Sequence, residues 1–127
     1  MKRAVSVAAV SFLLILAVSF FCDFASRQAS DAVLEKAWVI DGLAREGKKA
    51  QAMEAAGQLK RDWEKQAEFL SYFSHHSLMD AITEAILQTE AALETENAFG
   101  FASGVEGLKK AAKALYEQEA FLLKNLW

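Results

Sequence analysis

The sequence is that of an all-α protein: an N-terminal transmembrane helix followed by two antiparallel helical hairpins that make a four-helix, tetratricopeptide-like bundle. Three observations predict this. Residues 4–22 form an unbroken apolar run. The chain has no proline, so nothing in it forces a helix to break. Beyond residue 22 apolar residues recur every three or four positions, and sustained alternation of the strand kind is not found.

The apolar run comes first. Its 19 residues, Ala4 to Cys22, span roughly 28 Å as a helix, close to the hydrocarbon thickness of a bilayer. A cleaved leader needs small residues just before the cut, and Ser19-Phe20-Phe21-Cys22-Asp23-Phe24 offers bulky aromatics there. The expectation is a retained signal-anchor over residues 1–24 and an extracytoplasmic helical domain over 25–127. Lys2 and Arg3 stand before the run and hold the N-terminus in the cytoplasm, giving a single pass through the cell membrane. All 17 acidic residues follow the run, against 12 of the 14 basic ones, so the outer part carries −5. That balance disfavours a nucleic-acid partner, which demands a basic face, and none is expected. Cys22 is the single cysteine, so no internal disulfide can form.

Four amphipathic stretches follow. The first runs from about Ser30 to Glu46, with Ser30 or Asp31 as cap and Val33, Ala37 and Ile40 on its apolar face. It can be continuous with the membrane helix, since residues 24–29 contain no breaker. Gly47 supplies a left-handed stop. The second begins near Lys48, buries Met53, Ala56, Leu59, Trp63 and Leu70, and ends near Ser74. Ser77 with Asp80 resembles a capping box opening the third, which carries Ile82, Ile86, Thr89 and Leu93. Asn97 caps the fourth, which presents Val105, Leu108, Ala112 and Leu115. Gly100, Gly104 and Gly107 within it suggest close approach to a neighbouring helix, or a fray near residue 104. Leu43–Gly47 and Leu93–Asn97 are alike 50 positions apart, and the repeat slips by one when Leu59 is set against Leu108. It leaves stacked hairpins and a closed bundle both open.

Candidate chemistry is sparse. His75 and His76 are the only histidines, and Asp80 shares a helix face with His76. These three residues could contribute metal ligands. A closed zinc site wants four, and no cysteine cluster or second histidine pair completes it. No catalytic set of the Ser–His–Asp or Cys–His kind is readable, so neither an enzyme nor a cofactor is expected. Phe121, Leu122, Leu126 and Trp127 crowd the C-terminus and either close the bundle or offer an apolar docking patch.

Trp63, the segment Phe69-Leu70-Ser71-Tyr72-Phe73-Ser74-His75-His76, then Met79-Asp80-Ala81-Ile82 and the ending Leu123-Lys124-Asn125-Leu126-Trp127 resemble domain of unknown function 4363. The resemblance implies a short single-anchor helical membrane protein of Firmicutes-type bacteria, without assigned activity. It further implies a membrane-protein partner. Here His75 stands where that family more often has an acidic residue. The functional expectation is a membrane-tethered, non-catalytic interaction module that binds a membrane protein or itself. The alternative is an exported metal- or small-ligand-binding module using His75, His76 and Asp80.

Overall fold

The computed structural model describes residues 1–72 and 76–126, with side chains up to residue 117. It consists of four helices, α1 (Lys2–Arg45), α2 (Lys49–Leu70), α3 (His76–Glu94) and α4 (Ala98–Leu126), and no strand occurs among the described residues. Each helix packs on its two neighbours in the ring α1–α2–α3–α4, and α4 closes back on α1; among the described residues the diagonal pairs do not meet. Of the two arrangements that the internal repeat leaves open, this ring is that of a closed bundle.

α1 is one unbroken helix of 44 residues, roughly 66 Å long at the standard rise. The absence of a breaker between residues 24 and 29 has its full effect, and the N-terminal apolar stretch and the first bundle helix are continuous. Ser30 therefore does not cap a helix, as the spacing suggested. It lies mid-helix, fully buried, and its hydroxyl donates to the Ala112 carbonyl of α4 at 2.7 Å. Ser77 is likewise not a cap, because α3 already begins at His76 and takes Ser77 into its first turn. α2 ends at Leu70, four residues before the expected stop.

The two hairpin turns are built alike. Gly47 at φ 76° and Glu96 at φ 55° both occupy the left-handed region. The following amides, those of Lys48 and Asn97, donate back to Leu43 and Ala92 at 2.9 Å in each case, closing the last helical turn as a Schellman motif does. Gly47 and Glu96 are 49 positions apart, the same offset that relates the buried Leu59 and Leu108. Asn97 caps α4 as expected, its Oδ1 accepting from the Gly100 amide at 2.9 Å.

The core is the set of stripes that the spacing picks out: Val33, Ala37 and Ile40 on α1, Leu59 and Trp63 on α2, Ile82 and Ile86 on α3, Leu108 and Leu115 on α4. Met53 is the exception. It is exposed, and Ala52 takes the buried position one residue earlier. Trp63, 1% exposed, donates its indole N–H to Thr83 Oγ1 at 2.9 Å, which in turn donates to the Met79 carbonyl. A buried indole needs such a partner. Among the α4 glycines only Gly104 marks a close approach: a Cβ there would lie 2.7 Å from Thr89 Oγ1 and 3.1 Å from the Thr89 amide nitrogen. α4 runs on unbroken through this point.

Candidate functional site at the base of the bundle

The bundle has two unlike ends. The tip carries the turns at 46–48 and 95–97. The base is where α1 leaves the bundle and where α2 ends. From the base toward the N-terminus, the large apolar side chains of α1 are mostly uncovered. Val10, Leu13, Leu14, Ile15 and Val18 stand between 56% and 63% exposed, a level at which apolar side chains meet solvent rather than protein. Among the described residues α1 alone is long and apolar enough to cross a membrane.

Where this segment meets the bundle, aromatic side chains collect. Phe20, Phe21 and Phe24 of α1 are exposed, as are Phe69 at the end of α2 and Tyr72 just beyond it. The Phe21 and Phe69 rings meet edge to face, centroids 5.8 Å apart, an arrangement favoured by the ring quadrupoles. Together with Phe24 they line a cleft of about 370 Å³ between α1 and α2, whose tip-facing rim is polar: Gln28, Lys65 and Gln66. Phe69 and Tyr72 fall off the buried stripe of α2, which passes through Leu59, Trp63 and Leu70. That offset is the sequence signal by which this aromatic group could have been found.

On the α4 side of the base the contacts are polar. Asp23 pairs with Arg27 at 3.1 Å, and the Arg27 guanidinium sits 5.2 Å from the centre of the Tyr116 ring on α4. Asp23 Oδ1 and Ser26 Oγ are buried without hydrogen-bond partners. Ser30 opposite Ala112 and Arg27 over Tyr116 set α4 antiparallel to α1. With equal rise, the last turn of α4 comes level with about residues 17–20 of α1.

The residues singled out by sequence fall as follows. His76 opens α3 and is exposed, and Asp80 is exposed one turn on. His75 lies outside the described residues. Among the described residues no group of three His, Cys, Asp or Glu side chains gathers as a metal centre would. The α4 backbone is described through Leu126, but the side chains of Phe121, Leu122 and Leu126, and Trp127 altogether, lie outside what is described. The structure thus brings His76 and Asp80 onto one face, as their spacing requires.

Residues 24–126 match the family described as a domain of unknown function (DUF4363). The chain belongs to this family. No curated protein and no solved structure matches it. The DUF4363 match opens at Phe24, on the aromatic group of the base, and takes in all four packed helices. The family likeness carried by Trp63 and by the segment after Phe69 therefore holds. DUF4363 is a domain of unknown function, so membership assigns no activity.

Proposed function

We propose that this protein is a single-pass, membrane-tethered helical module that holds its bundle outside the cell and works by binding another protein, not by catalysis. The observation that carries the reading is the division of α1. Residues 4–22 form an uncharged helical stretch whose large apolar side chains are mostly exposed, and the same helix then supplies one wall of the bundle. A soluble helix has one apolar stripe, whereas a spanning helix is apolar all round. Lys2 and Arg3, directly before the uncharged stretch, favour a cytoplasmic N-terminus. The partner on this reading is a membrane protein or a second copy, because the tether confines the bundle to the membrane surface.

Fractionation and protease protection test it. The full chain is expected in the membrane pellet after alkaline carbonate washing, and protease added to intact cells is expected to remove the bundle. Protein released into the medium, or a bundle reached only after the cells are opened, would refute the tether or its orientation. Sedimentation in detergent separates self-association from a foreign partner. Turnover of any substrate by the purified chain would end the non-catalytic reading.

A second reading rests on His76 and Asp80, both exposed and one helical turn apart on α3. With His75 they would offer a divalent metal or a small ligand two or three donors on a surface. Zinc titration by calorimetry tests this; no heat, or heat unchanged in His76→Ala, disposes of it.

A further inference from the structure

The base of the bundle is built for a different solvent from its tip. The first charge that α1 meets after Arg3 is Asp23, and that carboxylate is largely covered and tied to Arg27. Phe20 and Phe21, one turn nearer the N-terminus, are exposed within the uncharged run. α2 reaches down to this level, because Phe69 touches Phe21. α4 reaches it as well, since its backbone continues to Leu126 alongside α1. There is no linker between span and bundle: the helix that would cross the bilayer is the helix that packs in the core. A rigid rod of this kind fixes how high the bundle stands. If residues 4–22 fill the hydrocarbon layer, then Phe21 and whatever touches it stand at its outer edge.

We propose that the base of the bundle is seated in the interfacial layer of the bilayer, with phospholipid as the occupant of the α1/α2 cleft. This rests on the tether reading above and adds to it a lipid-binding surface. Phe21, Phe24 and Phe69 lie against the upper acyl chains, and Tyr72 sits beside them at the headgroup level. Tyrosine concentrates at that level because its ring meets hydrocarbon and its hydroxyl meets water, whereas the wholly apolar phenyl rings suit the acyl side of the boundary. The cleft has the matching order of chemistry. Its walls toward the span are phenyl rings, and its far rim carries Lys65, Gln28 and Gln66, a cation and two amides that suit a phosphate and the glycerol ester oxygens. The exposed Glu68 on the neighbouring face of α2 keeps the seating in the headgroup layer and out of the hydrocarbon core. A protein with a flexible tether would have no reason to expose aromatics on two helices at one height.

The test is site-directed spin labelling of the full chain in vesicles of phosphatidylcholine and phosphatidylglycerol. Cys22→Ser removes the native thiol, and single cysteines are placed by Leu13→Cys, Met53→Cys, Phe69→Cys and Tyr72→Cys. All four sites are exposed on the protein, so none disturbs the core. Collision with oxygen, which concentrates in lipid, is compared with collision with a water-soluble nickel chelate. The expected result is that labels at 69 and 72 side with 13, with an oxygen-to-nickel ratio several-fold above that at 53. If 69 and 72 behave as 53 while 13 stays oxygen-rich, the span is real and the seating is wrong. If 69 and 72 are closed to both agents, protein covers the site and the lipid proposal is overturned. If 13 itself collides with nickel, the tether reading fails and takes the seating with it.

Discussion

The two halves of α1 are one continuous helix with two opposite designs. Residues 4–22 carry no charge and leave most of their large apolar side chains exposed, whereas from residue 23 onward one stripe is apolar and buried and charged residues occupy the other faces. Ile15 and Ile40 make the contrast concrete: the same side chain is 63% exposed in one half and 0% in the other. A helix by itself is indifferent to this difference, since its backbone bonds are satisfied internally in either setting. What changes is the solvent the side chains require. On the tether reading proposed above, the place where the apolar pattern narrows to a stripe, around Cys22 and Asp23, marks the boundary between two environments without any change in the backbone.

The strongest way to break the comparison is to truncate both isoleucines. Ile40→Ala leaves a cavity in a closed core and is expected to cost about 2–5 kcal/mol. Ile15→Ala touches no protein layer and is expected to shift bundle stability by less than about 0.5 kcal/mol. Urea denaturation of the full chain in detergent, followed by circular dichroism, reads both. Equal losses would mean that the helix around Ile15 packs against protein after all. A charge placed in each half gives the complementary result. Leu14→Arg is expected to oppose insertion by about 2.5–3.5 kcal/mol and move protein out of the membrane fraction. Val39→Arg, at an exposed site on the bundle half, is expected to leave the fraction in the membrane unchanged. Membrane partition that ignores Leu14→Arg would argue against the span.

Much of this was legible in the chain, and for a physical reason. Helical periodicity reports which side chains face inward, so the stripes through Ile40, Trp63, Ile86 and Leu108 emerged directly. Asn97 was legible as a cap because its short side chain has few other uses in that position. Ser30 and Ser77 were not, because a serine that ends a helix and one that sits within it look the same when no proline or glycine decides between them. The aromatic base was missed because Phe21 and Phe69 are 48 positions apart in sequence and meet only through the ring of helices. Met53 was misplaced by one residue, since Ala52 and Met53 are both apolar and the spacing fits either.

The seam between α3 and α4 sharpens the comparison on the bundle side, where packing must be close. Gly104→Ala would gain about 0.5–1 kcal/mol of helix propensity. It would also press a methyl onto the Thr89 backbone, whose nitrogen stands 3.1 Å from the new carbon. Backbone cannot swing aside as a side-chain end can, so overpacking of about 1–3 kcal/mol should win. Gly107→Ala meets only the Ala85 methyl at 3.9 Å, an ordinary contact. It should keep the full propensity gain of about 0.5–1 kcal/mol. Two glycines one turn apart are thus expected to respond with opposite signs in thermal unfolding, and a shared sign would show that α3 and α4 do not approach as closely as described.

The smallest effect lies at the boundary between the two halves, where α1 carries two fully buried serines one turn apart. Ser30 has a partner: its hydroxyl reaches the Ala112 carbonyl at 2.7 Å. Ser26 has none, although its oxygen is buried. Removing a buried hydroxyl that is bonded forfeits about 1 kcal/mol. The Ala112 carbonyl keeps its place in the α4 helix, so the loss in Ser30→Ala should not exceed that. Removing a buried hydroxyl with no partner relieves a desolvation cost of about 1–3 kcal/mol, against a small void where the oxygen was. Ser26→Ala should therefore be neutral or stabilising. Urea midpoints of the two variants, measured side by side, check the difference. A clear loss in Ser26→Ala would mean that its hydroxyl is bonded in solution, and that the base of the bundle is wetter than a surface seated against lipid should be.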